Sequence, residues 1–230
     1  MKKRKHLFFD LDNTLWDFNK NSREALLQLF TEHHIESRCG VSFDEFMKVY
    51  EAINHQLWEQ YSHQKIAKAE LRYQRFYQTF QFFKYENLAL SHQWADDYLK
   101  ISPYKTHLIE GAMDILHYLK PNYHLHIITN GFKEVQDIKL KQCLLEPHFN
   151  TIIISEEHGV SKPDKQIFEL AQALTQSTAD DCVMIGDNLE ADIFGAINAQ
   201  WKAIHLAEQA ASLQDAYLHI SKLQELKSIF

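Results

Sequence analysis

Hydrophobic positions along the chain fall into two regimes. Five short apolar runs, His6 to Leu11, Tyr123 to Thr129, Asn150 to Ile154, Cys182 to Gly186 and Trp201 to Leu206, are nearly continuous, as expected of strands buried on both faces. Helical periodicity fills the intervals between the last four. Strand and helix therefore alternate as in an α/β, Rossmann-like, doubly wound parallel sheet with right-handed crossovers. Asp164 to Leu174, for example, carries Ile167, Phe168, Ala171 and Leu174 at helical spacing, with Pro163 suited to its first turn.

The long interval between the first two runs is different. Residues 19–103 show helical periodicity only, which predicts a helical domain inserted into a core of residues 1–18 and 104–230. Ser42-Phe43-Asp44-Glu45 has the form of a capping box. Phe46, Val49, Tyr50, Ile53, Leu57 and Tyr61 mark one apolar face beyond it, and Leu90, Trp94, Tyr98 and Ile101 mark another before Pro103. The stretch Leu71 to Phe80 mixes arginines with aromatics, but Tyr73 and Tyr77, like Phe76 and Phe80, are four apart, the spacing of helix packing rather than of a base-stacking surface.

Composition narrows the classes. With 230 residues, 45% of them hydrophobic and 24% charged, the chain has ample length for a full core. No apolar run approaches a membrane span, and the basic Met1 to Lys5 is expected to be a solvated lead-in to the first strand. A net charge of −7 without a recurring basic stripe gives nucleic acid no support as a partner. Cys39, Cys143 and Cys182 have neither disulfide-framework nor zinc spacing, which suggests a cytoplasmic protein. The 14 histidines are scattered, and His33-His34, placed on a helix, has no partner four residues on; all are expected at the surface and not as ligands.

Chemistry is concentrated where predicted strands end. Asp10 and Asp12 close the first run, at the crevice where open α/β sheets bind ligands; the plain alternative is an Asp capping a turn. Thr129-Asn130-Gly131 follows the second run, Lys162-Pro163-Asp164 opens a helical pattern, and Gly186-Asp187-Asn188-Leu189-Glu190-Ala191-Asp192 follows the fourth. In this order and spacing, the set resembles the haloacid dehalogenase-like hydrolase superfamily, from a DxDxT motif at Asp10 to Thr14 to a GDxxxxD motif at Asp187 to Asp192. The resemblance implies a strand order of 5-4-1-2-3 and makes the inserted helical domain a cap of the C1 type.

It also implies a Mg²⁺-dependent phosphatase acting on a small phosphate monoester. Asp10 is then the nucleophile that forms an aspartyl-phosphate, and Asp12 the acid and base that serves the leaving alcohol and the attacking water. Thr129 and Lys162 bind the phosphate. Asp10, Asp187 and the backbone carbonyl of Asp12 hold Mg²⁺, an ion that prefers few carboxylates. Asp192 and Asn188 are expected to orient these groups from behind, and Asn130 and Phe18 to help bind substrate. A free carboxylate at Asp12 argues against dehalogenation, since a halide needs no proton to leave. Gln200 stands where relatives commonly have Gly to end a helix.

The segment Asp12 to Phe18 and the length of the insertion look most like the 5′-nucleotidase branch, with pyrimidine nucleotides as substrates. A sugar-phosphate or phosphoglycolate phosphatase and a β-phosphoglucomutase-like enzyme remain alternatives, as does a catalytically silent binding protein on the same fold.

Overall fold

Complete burial is what makes the five runs strands. In the computed structural model, which describes residues 5–209 and 217–230, Leu7, Phe8 and Phe9 are fully enclosed. Alternate residues enter different cores: Leu7 and Phe9 pack with Leu125, Ile127, Val183 and Ile185 on one face, and Phe8 with Met184, Ile167 and Phe168 on the other. Both faces of the sheet are thus covered. The basic lead-in at residues 1–4 lies outside the described residues.

The strands are β1 His6–Phe9, β2 His124–Thr129, β3 Thr151–Ile154, β4 Cys182–Gly186, β5 Lys202–Leu206 and β6 Leu218–Ile220. They form one parallel sheet in the order β3-β2-β1-β4-β5-β6. The first five take the expected order. β6 was not expected, because three residues at a sheet edge carry too little pattern to be seen. β1 is shorter than the predicted His6 to Leu11: Asp10 still donates its backbone N–H to Ile185 O at 2.9 Å, but Leu15 and Trp16 then turn their N–H groups back onto Leu11 O, which ends the ladder.

The chain divides into two compact units, Met1–Phe18 with Thr106–Phe230, and Asn19–Lys105. Within the first, the segments flanking the insertion are tied together by an antiparallel bridge between Trp16 and Leu108. Asp17 N donates to His107 O at 3.1 Å, and Ile109 N to Leu15 O at 2.9 Å.

The second unit is helical, its longer helices being Phe43–Ser62, Lys68–Phe82 and Leu88–Ile101. Ser42 and Glu45 form the expected reciprocal capping box. Trp94 lies at the centre, its ring 5.2 to 5.8 Å from those of Phe46, Phe76 and Phe80, so Phe76 and Phe80 of the arginine-rich stretch are core, while Tyr73 and Tyr77 are half-buried. The guanidinium of the buried Arg75 lies over the rings of Phe76 and Tyr98.

Several local expectations are corrected. Pro163 precedes the helix Lys165–Thr175 rather than entering its first turn, because Asp164 is the cap and accepts from Gln166 N at 2.9 Å. His33 and His34 lie in a turn between helices. Gln200 adopts the left-handed conformation, φ +64°, that a glycine would take without strain. His6, His126, His148 and His205 are buried rather than exposed, each against another aromatic ring. The His126 ring stacks on Phe8 and His6, and burial, with smaller contributions from His6 and His124, lowers its pKa from 6.5 to about 3.

The depressed pKa of His126 ties stability to pH. The unfolded chain binds a proton at His126 before the folded one does, so stability present above about pH 6.5 is lost as the pH falls towards 3. Between pH 7.5 and pH 5, His126→Phe should lose less stability than the wild type by up to about 2 kcal/mol. Urea midpoints at the two pH values check this; parallel losses in both proteins would count against it.

Candidate active site

Because β1 pairs in parallel and in matched register with both β2 and β4, the C-terminal ends of all three strands lie at one edge of the sheet. Asp10 follows β1, Thr129 ends β2 and Asp187 follows β4. Lys162, on the segment before the Lys165–Thr175 helix, reaches into the same place and is 2% exposed. Its ammonium donates to Asp10 Oδ1 and Asp192 Oδ1, both at 2.6 Å, and to Ile128 O at 2.7 Å. All three of its donors are thereby used.

One cation serves a cluster of three acids. Oxygen atoms of Asp10, Asp187 and Asp192 lie within 4.8 Å of one another. Burial, opposed by Lys162 and reinforced by Asp192 and Asp12, raises the pKa of Asp10 to about 7. Burial, then Asp10 and Asp192, raises that of Asp187 to about 8, against a hydrogen bond from Thr14 Oγ1 at 3.1 Å. Lys162 is raised despite its burial, by Asp10 and Asp192. Positive charge is therefore in short supply, and the oxygen donors suit a hard divalent cation. Asp10, Asp187 and Asp192 each offer an oxygen that could hold one. Asp192 also accepts from Lys162 Nζ at Oδ1 and, at 3.0 Å, from Asn188 N at Oδ2.

The GDxxxxD turn explains its own residues. A Cβ on Gly186 would overlap the Asp192 carboxylate, so only glycine permits that close approach. Asn188 Oδ1 accepts from Glu190 N and Ala191 N, capping the Leu189–Phe194 turn that carries Asp192. His205 Nε2 meets Asp187 O at 3.0 Å.

A second polar cluster joins the first through Thr129. Asp12 is held by Lys139 Nζ, which donates to Oδ1 at 2.6 Å, and by Gln136 Nε2, which donates to Oδ2 at 2.9 Å. The Lys139 ammonium also lies 4.2 Å from the ring centre of Trp16 and 5.9 Å from that of Phe18. Thr129 Oγ1 accepts from Gln136 Nε2 at 2.7 Å and from Gly131 N at 3.3 Å. With both lone pairs engaged, its hydroxyl is a donor.

Asn130 and Phe18, expected to contact substrate, also have partners within the protein. Asn130 grips the backbone of Lys162, accepting from its N–H at 3.0 Å and donating to its carbonyl at 2.8 Å, while Ser155 Oγ donates to Asn130 Oδ1 at 2.7 Å. Both ends of the amide thus hold the backbone of Lys162. Phe18 is half-buried and packs near Trp16. Gln136 and Lys139 were missed altogether. Their signal was three-residue spacing on one helix, beside the buried Leu140, in the helix after Thr129-Asn130-Gly131.

Residues 4–200 match the model of the family described as haloacid dehalogenase-like hydrolase. The chain is 31% identical to pyrimidine 5′-nucleotidase YjjG of Escherichia coli (strain K12), over 97% of this chain and 96% of that protein. To pyrimidine 5′-nucleotidase PynA of Streptococcus pneumoniae it is 34% identical, over 93% and 90%. Among solved structures, the putative HAD-hydrolase YfnB of Bacillus subtilis, bound to magnesium, matches with a TM-score of 0.89 and 29% identity, over 99% of each chain.

The dependence of the acid cluster on one lysine is open to direct measurement. Lys162→Met leaves buried carboxylates without their counter-charge and should cost about 3–5 kcal/mol at pH 8. Part of the loss should return at pH 5.5, where Asp10 and Asp187 hold protons. Denaturant titrations at both pH values supply the test, and a pH-independent loss below about 1 kcal/mol would contradict it.

Proposed function

The chain belongs to the haloacid dehalogenase-like hydrolase family, and from that premise we propose a phosphoric monoester hydrolase that works through an aspartyl-phosphate, with Mg²⁺ as its metal and pyrimidine nucleoside 5′-monophosphates as substrates. The observation that carries this reading is the buried Lys162 bridging Asp10 and Asp192 beside Asp187. Such a cluster makes a poor core and a good receptor for a phosphoryl group with its cation.

In the first step Asp10 Oδ attacks phosphorus, forming the acyl-phosphate bond as the bond to the alcohol oxygen breaks, and Asp12 gives that oxygen its proton. In the second, water attacks the phosphorus as the acyl-phosphate P–O bond breaks, Asp12 takes the water's proton, and the Asp10 carboxylate and inorganic phosphate are released. Thr129 donates its hydroxyl to a phosphate oxygen. Lys162 supplies a point charge to the equatorial oxygens, whose accumulating charge is what phosphoryl transfer must offset. Mg²⁺, held by Asp10, Asp187 and the Asp12 carbonyl, would screen the repulsion between nucleophile and phosphate. Asn130 and Asn188 keep Lys162 and Asp192 in place.

YjjG and PynA, both pyrimidine 5′-nucleotidases, support the substrate assignment, and magnesium in the YfnB structure supports the metal. We assign the helical unit Asn19–Lys105 the role of the family's cap. Phe18, six residues after Asp12 and half-buried, offers an aromatic face on which a pyrimidine can stack, with the fully buried Trp16 packed beside it.

Asp10→Asn keeps the side-chain size but removes nucleophile and metal ligand, so turnover should fall by at least about 1000-fold, some 4 kcal/mol of barrier. A loss within tenfold would exclude the covalent route. A screen of monoesters with Mg²⁺ should rank uridine and cytidine 5′-monophosphates above hexose phosphates and phosphoglycolate. A tenfold advantage for a sugar phosphate would remove the nucleotidase assignment and leave the phosphatase.

Metal binding should also depend on pH. The cation must displace protons from Asp10 and Asp187, so added Mg²⁺ should raise Tm more at pH 8.5 than at pH 6. An equal rise at both would count against those two ligands.

A further inference from the structure

Gln136 stands at the junction of the two polar clusters and takes no part in the chemistry assigned to Asp10 and Asp12. It is fully buried, and its single amide nitrogen donates to Asp12 Oδ2 at 2.9 Å and to Thr129 Oγ1 at 2.7 Å. The orientation of the amide is dictated by its neighbours. Asp12 is also bonded to the Lys139 ammonium, so its oxygens accept, and only the nitrogen end of Gln136 can face them.

Two further observations show that the surroundings are shaped around this side chain. The other end of the amide, Oε1, is buried without a hydrogen-bond partner, a destabilising arrangement that the fold keeps so that the nitrogen can point at Asp12 and Thr129. Gly131 is a glycine for the same reason, since a Cβ there would overlap Gln136 Nε2 and Cδ. The last residue of Thr129-Asn130-Gly131 thus makes room for a side chain five positions on.

We propose that Gln136 is a positioning residue that sets the hydrogen-bond polarity of the phosphate pocket. By donating to Thr129 Oγ1, together with Gly131 N, it occupies both lone pairs and leaves the hydroxyl proton for a phosphate oxygen. The same amide and Lys139 hold one oxygen each of Asp12, so the phosphate donor and the residue assigned to proton transfer share one support. Glutamate is nearly the same size but accepts where Gln136 donates; it would take the Thr129 proton and repel Asp12.

The proposal rests on the phosphatase reading, and its test separates the two. Inorganic phosphate binding is measured by calorimetry with Mg²⁺ present, alongside kcat and KM for uridine 5′-monophosphate, on the full chain. Gln136→Glu should weaken phosphate binding at least tenfold and lower kcat at least a hundredfold. Gly131→Ala, which displaces the amide without changing a bonding group, should weaken phosphate binding in the same direction. In the Thr129→Val background the Gln136→Glu effect on phosphate binding should be several-fold smaller, because the hydroxyl it acts on is gone and only the added charge beside Asp12 is left. A merely structural Gln136 would show additive effects in that double variant, and additivity, or phosphate binding within twofold of wild type in Gln136→Glu, would overturn the proposal. Should the wild type bind phosphate but turn over no monoester, the phosphatase reading fails while the coupling between Gln136 and Thr129 is still read from the calorimetry.

Discussion

The arrangement depends on one ammonium group. Lys162 is the only cation bonded within the cluster of Asp10, Asp187 and Asp192 among the described residues, and it is enclosed. Burying a charge is tolerable only with close partners and full hydrogen bonding. Lys162 has both, from two carboxylates and a strand carbonyl. The surrounding residues make sense as its supports: Asn130 fixes its backbone, Ser155 fixes Asn130, and the glycine at 186 lets Asp192 come close. The cluster stays short of positive charge even so, and the binding of a divalent cation and a phosphate is the complement of that imbalance.

Most of the framework was legible because two signals are strong in any sequence. Continuous apolar runs mark strands covered on both faces, and Asp10, Thr129 and Asp187 stood at the ends of such runs, where a sheet presents side chains to a ligand. What escaped notice did so for physical reasons. Gln136 and Lys139 are polar residues within a helix rich in lysine, and nothing local distinguishes a buried pair from a solvated one. Asn130 has the composition of a turn residue, and only the fold shows that Lys162, 32 positions away, is what it holds. The buried histidines were misjudged because scattered imidazoles carry no periodicity, whereas their strands place His6 and His126 on one inward face.

The two polar clusters also divide the labour of the site. Around Lys162 the question is charge, and the answer is burial with matched acids. Around Gln136 the question is direction, since hydroxyl, amide and carboxylate have to agree on which of them donates. Thr129 belongs to both, its carbonyl bonded by Ser155 and its hydroxyl by Gln136.

The paired stems at Trp16 and Leu108 carry an implication for how the molecule reaches its native state. β1 is the centre of the sheet, yet its partners start at His124 and Cys182, so the core cannot assemble until the chain has closed across the whole helical insertion. Closure of a flexible loop becomes more unfavourable with length, though only logarithmically, and such distant pairings slow folding. A helical unit with its own aromatic core can form from local contacts first and bring its two ends together. The stems then meet as a short hairpin-like junction, and the search for the β1 partners becomes that of a much shorter chain.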